Sequence, residues 1–159
     1  MRVGVISDTH DNARNVARIV EVLRSARVER VIHTGDITRP ATLRMFAEVG
    51  VPVFGVFGNN DHARAELLAV AGELGFALAE PPLELVWLDR RITVVHDRRE
   101  HPEIELGDVL LHGHDHRYSL ERVDGTLIFN PGECAGWLEG RNAVGVLDLL
   151  RLDAEVLRF

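Results

Sequence analysis

Five short apolar runs in this sequence lead into residues able to hold a metal ion. Val3–Ile6 runs into Asp8, with His10 two residues on. Val31–Thr34 reaches Gly35-Asp36, and Val53–Phe57 reaches Gly58-Asn59. Ile92–Val95 ends at His96, and Val109–Leu111 continues into His112-Gly113-His114-Asp115-His116. Together they offer carboxylates, imidazoles and one amide oxygen, with no thiolate. Such a mixture suits Mn, Fe, Co, Ni or Zn better than Ca, which takes oxygen alone. Seven ligands (Asp8, His10, Asp36, Asn59, His96, His114 and His116) exceed the needs of one tetrahedral zinc. They suffice for two ions sharing a bridging carboxylate. Two ions roughly 3.5–4 Å apart can clamp the attacking and leaving oxygens of an in-line phosphoryl displacement. Alone, Asp8-Thr9-His10 would be an ordinary turn, since strand ends collect Asp for capping. The recurrence of the pattern in order along the chain gives it weight.

The elements that must position these groups follow from periodicity. The first half alternates strand and helix three times. A helix is expected over Ala13–Ser25, where Val16, Ile19, Val20 and Leu23 form one stripe and Asp11 or Asn12 can cap it. Pro40 opens a second helix with Leu43, Phe46 and Ala47 facing inward and Gly50 ending it. A third spans about Ala63–Ala71. This alternation is that of a parallel sheet covered by helices. The second half reads as mostly antiparallel strands: Leu83–Leu88, Ile92–Val95, Val109–Leu111, Ser119–Val123, Thr126–Asn130, Ala143–Leu149 and Arg151–Leu157. Asp124-Gly125 marks a hairpin turn. Two sheets packed face to face with helices outside satisfy both halves. Ligands then gather outside the carboxyl ends of the strands.

With 159 residues the chain is read as one domain, 1–159, able to close its own core. No apolar stretch is long enough for a membrane helix or a signal peptide. The single Cys134 excludes an intramolecular disulfide and makes a reducing cytoplasm the expected setting. All 18 basic residues are arginine, which reads as a compositional bias of the source genome. A net charge of −7 argues against sequence-blind binding of duplex nucleic acid, although bound metals can still attract a small anion.

The motifs Asp8-Thr9-His10, Gly35-Asp36, Gly58-Asn59-Asn60-Asp61, His96 and Gly113-His114-Asp115-His116 resemble those of the calcineurin-like metallophosphoesterases. The likeness runs from Ser7 to Gly132 and is greatest to the small, cap-free phosphodiesterase branch of bacteria and archaea. It implies an α/β fold, a four-layer α-β-β-α sandwich of two mixed sheets with helices on the outer faces. It also implies two divalent transition-metal ions, with Mn first among Fe, Ni, Co and Zn. Asp8, His10 and His116 would hold one ion, Asn59, His96 and His114 the other, and Asp36 would bridge them. A hydroxide between the ions would attack phosphorus in line, while Asn59 helps to stabilise the developing charge. The implied substrate is a small phosphodiester.

The sequence departs from that pattern in three places. Many relatives carry His after the motif Asn, where it meets the substrate; here the place holds Asn60. His62 could supply the missing proton. After His96 the family has Gly and a longer helical segment, whereas this chain has Asp97-Arg98-Arg99-Glu100 and a short stretch to Leu106. The turn Asn130-Pro131-Gly132 is followed by Glu133, whose charge would disfavour a doubly charged monoester. Arg117, directly after His116, is the best placed of Arg98, Arg99 and Arg117 to meet a substrate phosphate. His33 and His112 read as buried supports, His101 as solvated, and Cys134, Trp87 and Trp137 as packing. Gly35 and Gly58 read as tight-turn residues. The rival reading is a metal-binding scaffold that docks a protein, as in the retromer subunit of this fold; a phosphomonoesterase is a third. The last two strands offer an edge on which a second copy could pair.

Overall fold

The computed structural model describes residues 1–132, 134–138 and 140–159. The order of elements is β1 (Arg2–Ile6), α1 (Ala13–Ser25), β2 (Arg30–His33), α2 (Pro40–Met45), β3 (Val53–Val56), α3 (Arg64–Leu74) and β4 (Ala77–Ala79). Seven further strands follow: β5 (Leu83–Trp87), β6 (Arg90–Val94), β7 (Val109–Leu111), β8 (Ser119–Val123), β9 (Thr126–Asn130), β10 (Ala143–Asp148) and β11 (Asp153–Arg158).

The strands form two mixed sheets, ordered β11-β10-β1-β2-β3-β4 and β5-β6-β7-β9-β8. In the first, β1 to β4 are parallel and the β10–β11 hairpin joins antiparallel at β1. The second half is mostly antiparallel as expected, in the pairs β1–β10, β10–β11, β5–β6 and β8–β9, with one exception. In the second sheet β7 pairs parallel with both β6 and β9. Only its edges, β5–β6 and β8–β9, are antiparallel. The parallel centre matters because it sends β6 and β7 in one direction, with their carboxyl ends side by side.

Strand alternation splits the core. Val3 and Val5 of β1 point between the sheets, where they meet Ile32, Val56, Ile92, Val109, Leu127 and Phe129. Ile6 points the other way, against Val16, Ile19 and Leu23 of α1. All four stripe residues of α1 are buried, and Asn12 Oδ1 accepts from Asn15 N–H at 3.1 Å as the N-cap. α2 is shorter than expected. After Met45 the chain tightens into a 3₁₀ turn, Phe46–Val49, which turns Val49 inward and leaves Ala47 exposed. Gly50, at φ 78°, ends it as expected.

The α-β-β-α layering holds, with unequal outer layers. All three α-helices cover the first sheet. On the second, Val95, Leu110 and Ile128 are covered by Ile104 and Leu106, in the short segment that opens with a 3₁₀ turn at Arg98–Glu100. No helix among the described residues is long and apolar enough to cross a membrane.

Candidate metal centre

Both sheets deliver their carboxyl ends to one place. Gly113 N–H donates to His96 O at 2.9 Å, and His96 Nδ1 lies 2.9 Å from Thr34 O, linking the end of β6 to the ends of β7 and β2. Asp8 N–H donates to Gly35 O, and His10 N–H to Asp36 O, joining β1 to β2. The seven residues expected as ligands therefore converge from two rigid sheets.

The backbone there is unusual. Asp8, His10, Asp36, His114 and His116 all have positive φ, between 44° and 73°. Left-handed backbone costs a residue with a Cβ about 1–2 kcal/mol. Turn residues such as Arg27, Leu88 and Asp124 share this conformation, but the gathering of five such residues at one place is the clustering seen at functional sites. Two glycines make the packing possible. A Cβ on Gly58 would lie 2.2 Å from Asp36 Oδ1, and one on Gly35, at φ +109°, would lie 2.6 Å from His96 Nδ1.

Asp8 is fully buried. Its Oδ2 accepts from the Ser7 hydroxyl and from His114 N–H, while Thr34 Oγ1 donates to Ser7 Oγ at 2.7 Å. Its Oδ1 has no hydrogen-bond partner among the described residues and faces His116 Nε2 at 3.5 Å. His10 Nε2 is likewise buried without a hydrogen bond, 3.8 Å from Asp36 Oδ2. Burial pushes the Asp8 carboxyl above its ordinary range, opposed by the Ser7 hydroxyl.

On the other side, His96 Nδ1 donates to Thr34 O, and its Nε2 faces Asn59 Oδ1 at 2.9 Å and Asp36 Oδ2 at 3.6 Å. His114 Nδ1 lies 3.0 Å from Asn59 Oδ1 and 3.2 Å from His96 Nε2. Lone pairs converge with few protons between them, which is the environment a cation relieves. Two groups of ligand atoms lie close enough for one ion each: Asp8, His10 and His116, and Asp8, Asp36 and His96. They share Asp8. The donor set and its unpartnered buried atoms thus fit a pair of divalent ions, in the manner of a binuclear phosphoesterase site.

The other expected residues fall as follows. Asn60 is exposed, yet its N–H and amide both donate to Asp36, at 2.9 and 2.6 Å. His62 is exposed and makes no side-chain hydrogen bond or ion pair among the described residues. Arg117 is exposed beside His116 on the wall of a cavity. His33 is buried between Thr9 Oγ1 at 2.9 Å and Gly35 N–H at 3.2 Å, and burial lowers its pKa to about 3. His112 is also buried and lowered by burial. Trp87 packs edge-on against Phe54, and Cys134 is buried. Glu133 lies outside the described residues.

Trp137 needs correction. It is 66% exposed, and its ring stacks on His10 and His116 at 4.4 and 4.8 Å between centroids. It belongs to the wall of the site, brought there by a loop without periodicity that could have signalled it. Two carboxylates were also missed as supports. Asp61 accepts from Asp36 N–H and Gly58 N–H at 2.9 and 2.6 Å and from Thr38 N–H at 2.6 Å, stitching two ligand turns together. Asp97 Oδ2 lies 3.5 Å from His114 Nε2. The Arg99 side chain holds the Asp97 carboxyl down at about 2.

The calcineurin-like phosphoesterase superfamily domain matches residues 1–151. The chain belongs to the calcineurin-like phosphoesterase superfamily. Within this superfamily it is 30% identical to phosphodiesterase MJ0936 of Methanocaldococcus jannaschii over 154 residues, 93% of each chain. A solved archaeal phosphodiesterase superposes with a TM-score of 0.92 at 28% identity, covering 100% of both chains. Vps29 of Entamoeba histolytica superposes at 0.67 with 19% identity over 100% of this chain and 99% of that one, a likeness of fold alone.

Proposed function

We propose that this chain is a two-metal phosphodiesterase acting on a small phosphodiester. The observation that carries the reading is the pair of buried, unpartnered atoms Asp8 Oδ1 and His10 Nε2, close to Asp36, His96 and His116 where the two sheets meet. Asp8, His10 and His116 would hold one ion; Asn59, His96 and His114 would hold the other. Asp36 would lie between them, with Asp8 within reach of both groups. Bound ions would polarise the phosphoryl oxygens and make a nucleophile from water near neutral pH. Full-length likeness to phosphodiesterases supports a diester over a monoester.

The chain's own residues divide the remaining work. Asn60 fixes both oxygens of Asp36 and presents its exposed side to the ester. Asp97 orients His114 through Nε2, so that Nδ1 faces the other ligands. Arg117 would meet a non-bridging or distal oxygen of the substrate. His62 is the proposed proton donor to the leaving oxygen. Because the site draws on both sheets, 1–159 would act as one domain. Manganese is the first ion to try, and a reducing cytoplasm is the proposed setting for buried Cys134. The β11 edge is where a second copy would pair.

The test is hydrolysis of bis(4-nitrophenyl) phosphate and 4-nitrophenyl phosphate by metal-stripped protein with and without added Mn. Metal-dependent turnover of the diester, well above that of the monoester and lost in His114→Ala, is expected. A preference for the monoester would overturn the diester assignment. No turnover of either with metal bound would favour a scaffold. For His62, equal losses in His62→Ala on good and poor leaving groups would remove the proton-donor role.

A further inference from the structure

Beside His116 the surface sinks into a cavity of about 560 Å³ lined by Arg117, Tyr118, Gly132, Arg141 and Arg158. Its arginines come from three places in the chain: the segment after β7, the approach to β10, and the end of β11. No carboxylate stands among its described lining residues. Elsewhere eight of the other fifteen guanidinium groups are matched among the described residues, including Arg39 with Asp11, Arg44 with Glu73, Arg90 with Asp108 and Arg99 with Asp97. Arg117, Arg141 and Arg158 form no ion pair among the described residues. In a chain of net charge −7, three cations lining one cavity with no ion pair among the described residues make that described lining positive.

The opposite flank of the metal centre differs. There a cavity of about 320 Å³ is lined by Asn59, His96, Arg64, Glu80, Glu100 and His101, among others. Arg64 is already engaged by Glu80 at 2.6 Å, and Glu100 adds negative charge. An anionic substituent is therefore attracted to the His116 flank and repelled from the other. The larger cavity falls within the usual range for small-molecule sites, roughly 300–1,000 Å³, and exceeds what one phosphate needs. It has room for a sugar-sized spacer as well. Guanidinium forks match phosphate oxygens in number and geometry.

We propose that this cavity binds a second phosphate carried on one arm of the substrate. The preferred substrate is then a phosphodiester with a distal phosphate, as in a nucleotide phosphorylated at its other end; this rests on the phosphodiesterase reading above. Arg117, Arg141 and Arg158 are the binding residues.

The test compares the 4-nitrophenyl ester of thymidine 5′-phosphate with the same ester bearing a 3′-phosphate. In parallel, calorimetry measures binding of thymidine 5′-phosphate and thymidine 3′,5′-bisphosphate to the metal-loaded protein. The 3′-phosphate is expected to lower KM at least tenfold and to tighten binding by a similar factor. In an Arg141→Ala/Arg158→Ala variant both ratios should fall to within twofold of one, and the double Lys variant should recover part of them. Equal KM and equal affinity for the two members of each pair in the unmutated protein, with the plain ester turned over, would overturn the proposal and leave the phosphodiesterase reading intact. Failure to hydrolyse either ester would sink that reading instead, while the calorimetric ratio would still decide whether the cavity selects the second phosphate.

Discussion

On the side of Asp8, His10 and His116 the candidate ligands are set by backbone, whereas on the side of Asn59, His96 and His114 they are set largely by one another. The first three all sit in left-handed conformation, whereas of the second three only His114 does. Asp8 is pinned by Ser7 and His114 N–H. The second three meet through Asn59 Oδ1 and the two imidazoles, with Asp97 behind them. His114 is also the more open: its side chain is 32% exposed, against 15% for His116. The first half is fixed within the sheet ends, while the second starts from sheet ends too, with Thr34 O on His96, but leans also on Asp97 in a short loop. The half built into the sheet ends should hold its ion more firmly.

Asp8 belongs to both groups, so its loss should have the largest effect. Asp8→Asn is expected to lower diester turnover by on the order of 10²–10³-fold, the scale of removing a transition-state stabiliser. Metal analysis should show both ions weakened. The same change should raise the melting temperature of the metal-free protein at neutral pH. Burial raises the Asp8 pKa above its unfolded value, so the ionised carboxylate opposes folding as pH rises through the folded pKa. A metal-free variant less stable than its parent would contradict the account of Asp8.

Asp97→Asn should sharpen the contrast between the halves. It is expected to weaken one of two bound ions by about 10–100-fold, the usual effect of removing a carboxylate behind a ligating His. Two-step chelator titration checks this, and an equal loss at both sites would erase the distinction drawn here. His33 gives a pH signature for the sheet-end half. Its folded pKa, lowered to about 3 by burial, lies below the unfolded value near 6.5. The unfolded chain therefore binds the extra proton, and stability should fall as pH drops from about 6.5 towards 3. His33→Gln should flatten that slope in pH-dependent melting curves. The smallest effect is expected at Trp137, whose fluorescence should change when metal binds beneath it. Trp137→Ala should remove the signal and alter turnover by only a fewfold.

Much of this arrangement was legible in the sequence because strand ends and helix stripes follow fixed periods. α1 matches its expected span because its stripe and its Asn12 cap agree. Ala77–Ala79 escaped notice because a three-residue, alanine-containing edge strand has no distinctive pattern. Ala47, expected inward, is exposed and Val49 is buried because a 3₁₀ turn breaks the helical period. At the site, the ligand types were readable, but their left-handed backbone was not. Asp61 was legible within the Gly58-Asn59-Asn60-Asp61 motif but not as a support, and Asp97 and Trp137 were not legible as members of the site, since only folding brings these loop residues against the ligands.

The most direct measurement is a titration of metal-stripped protein with Mn²⁺, following bound equivalents and bis(4-nitrophenyl) phosphate turnover together. The account predicts two equivalents, the second weaker, with turnover rising only as the second binds. Two equivalents bound without turnover, or full turnover at one, would contradict it.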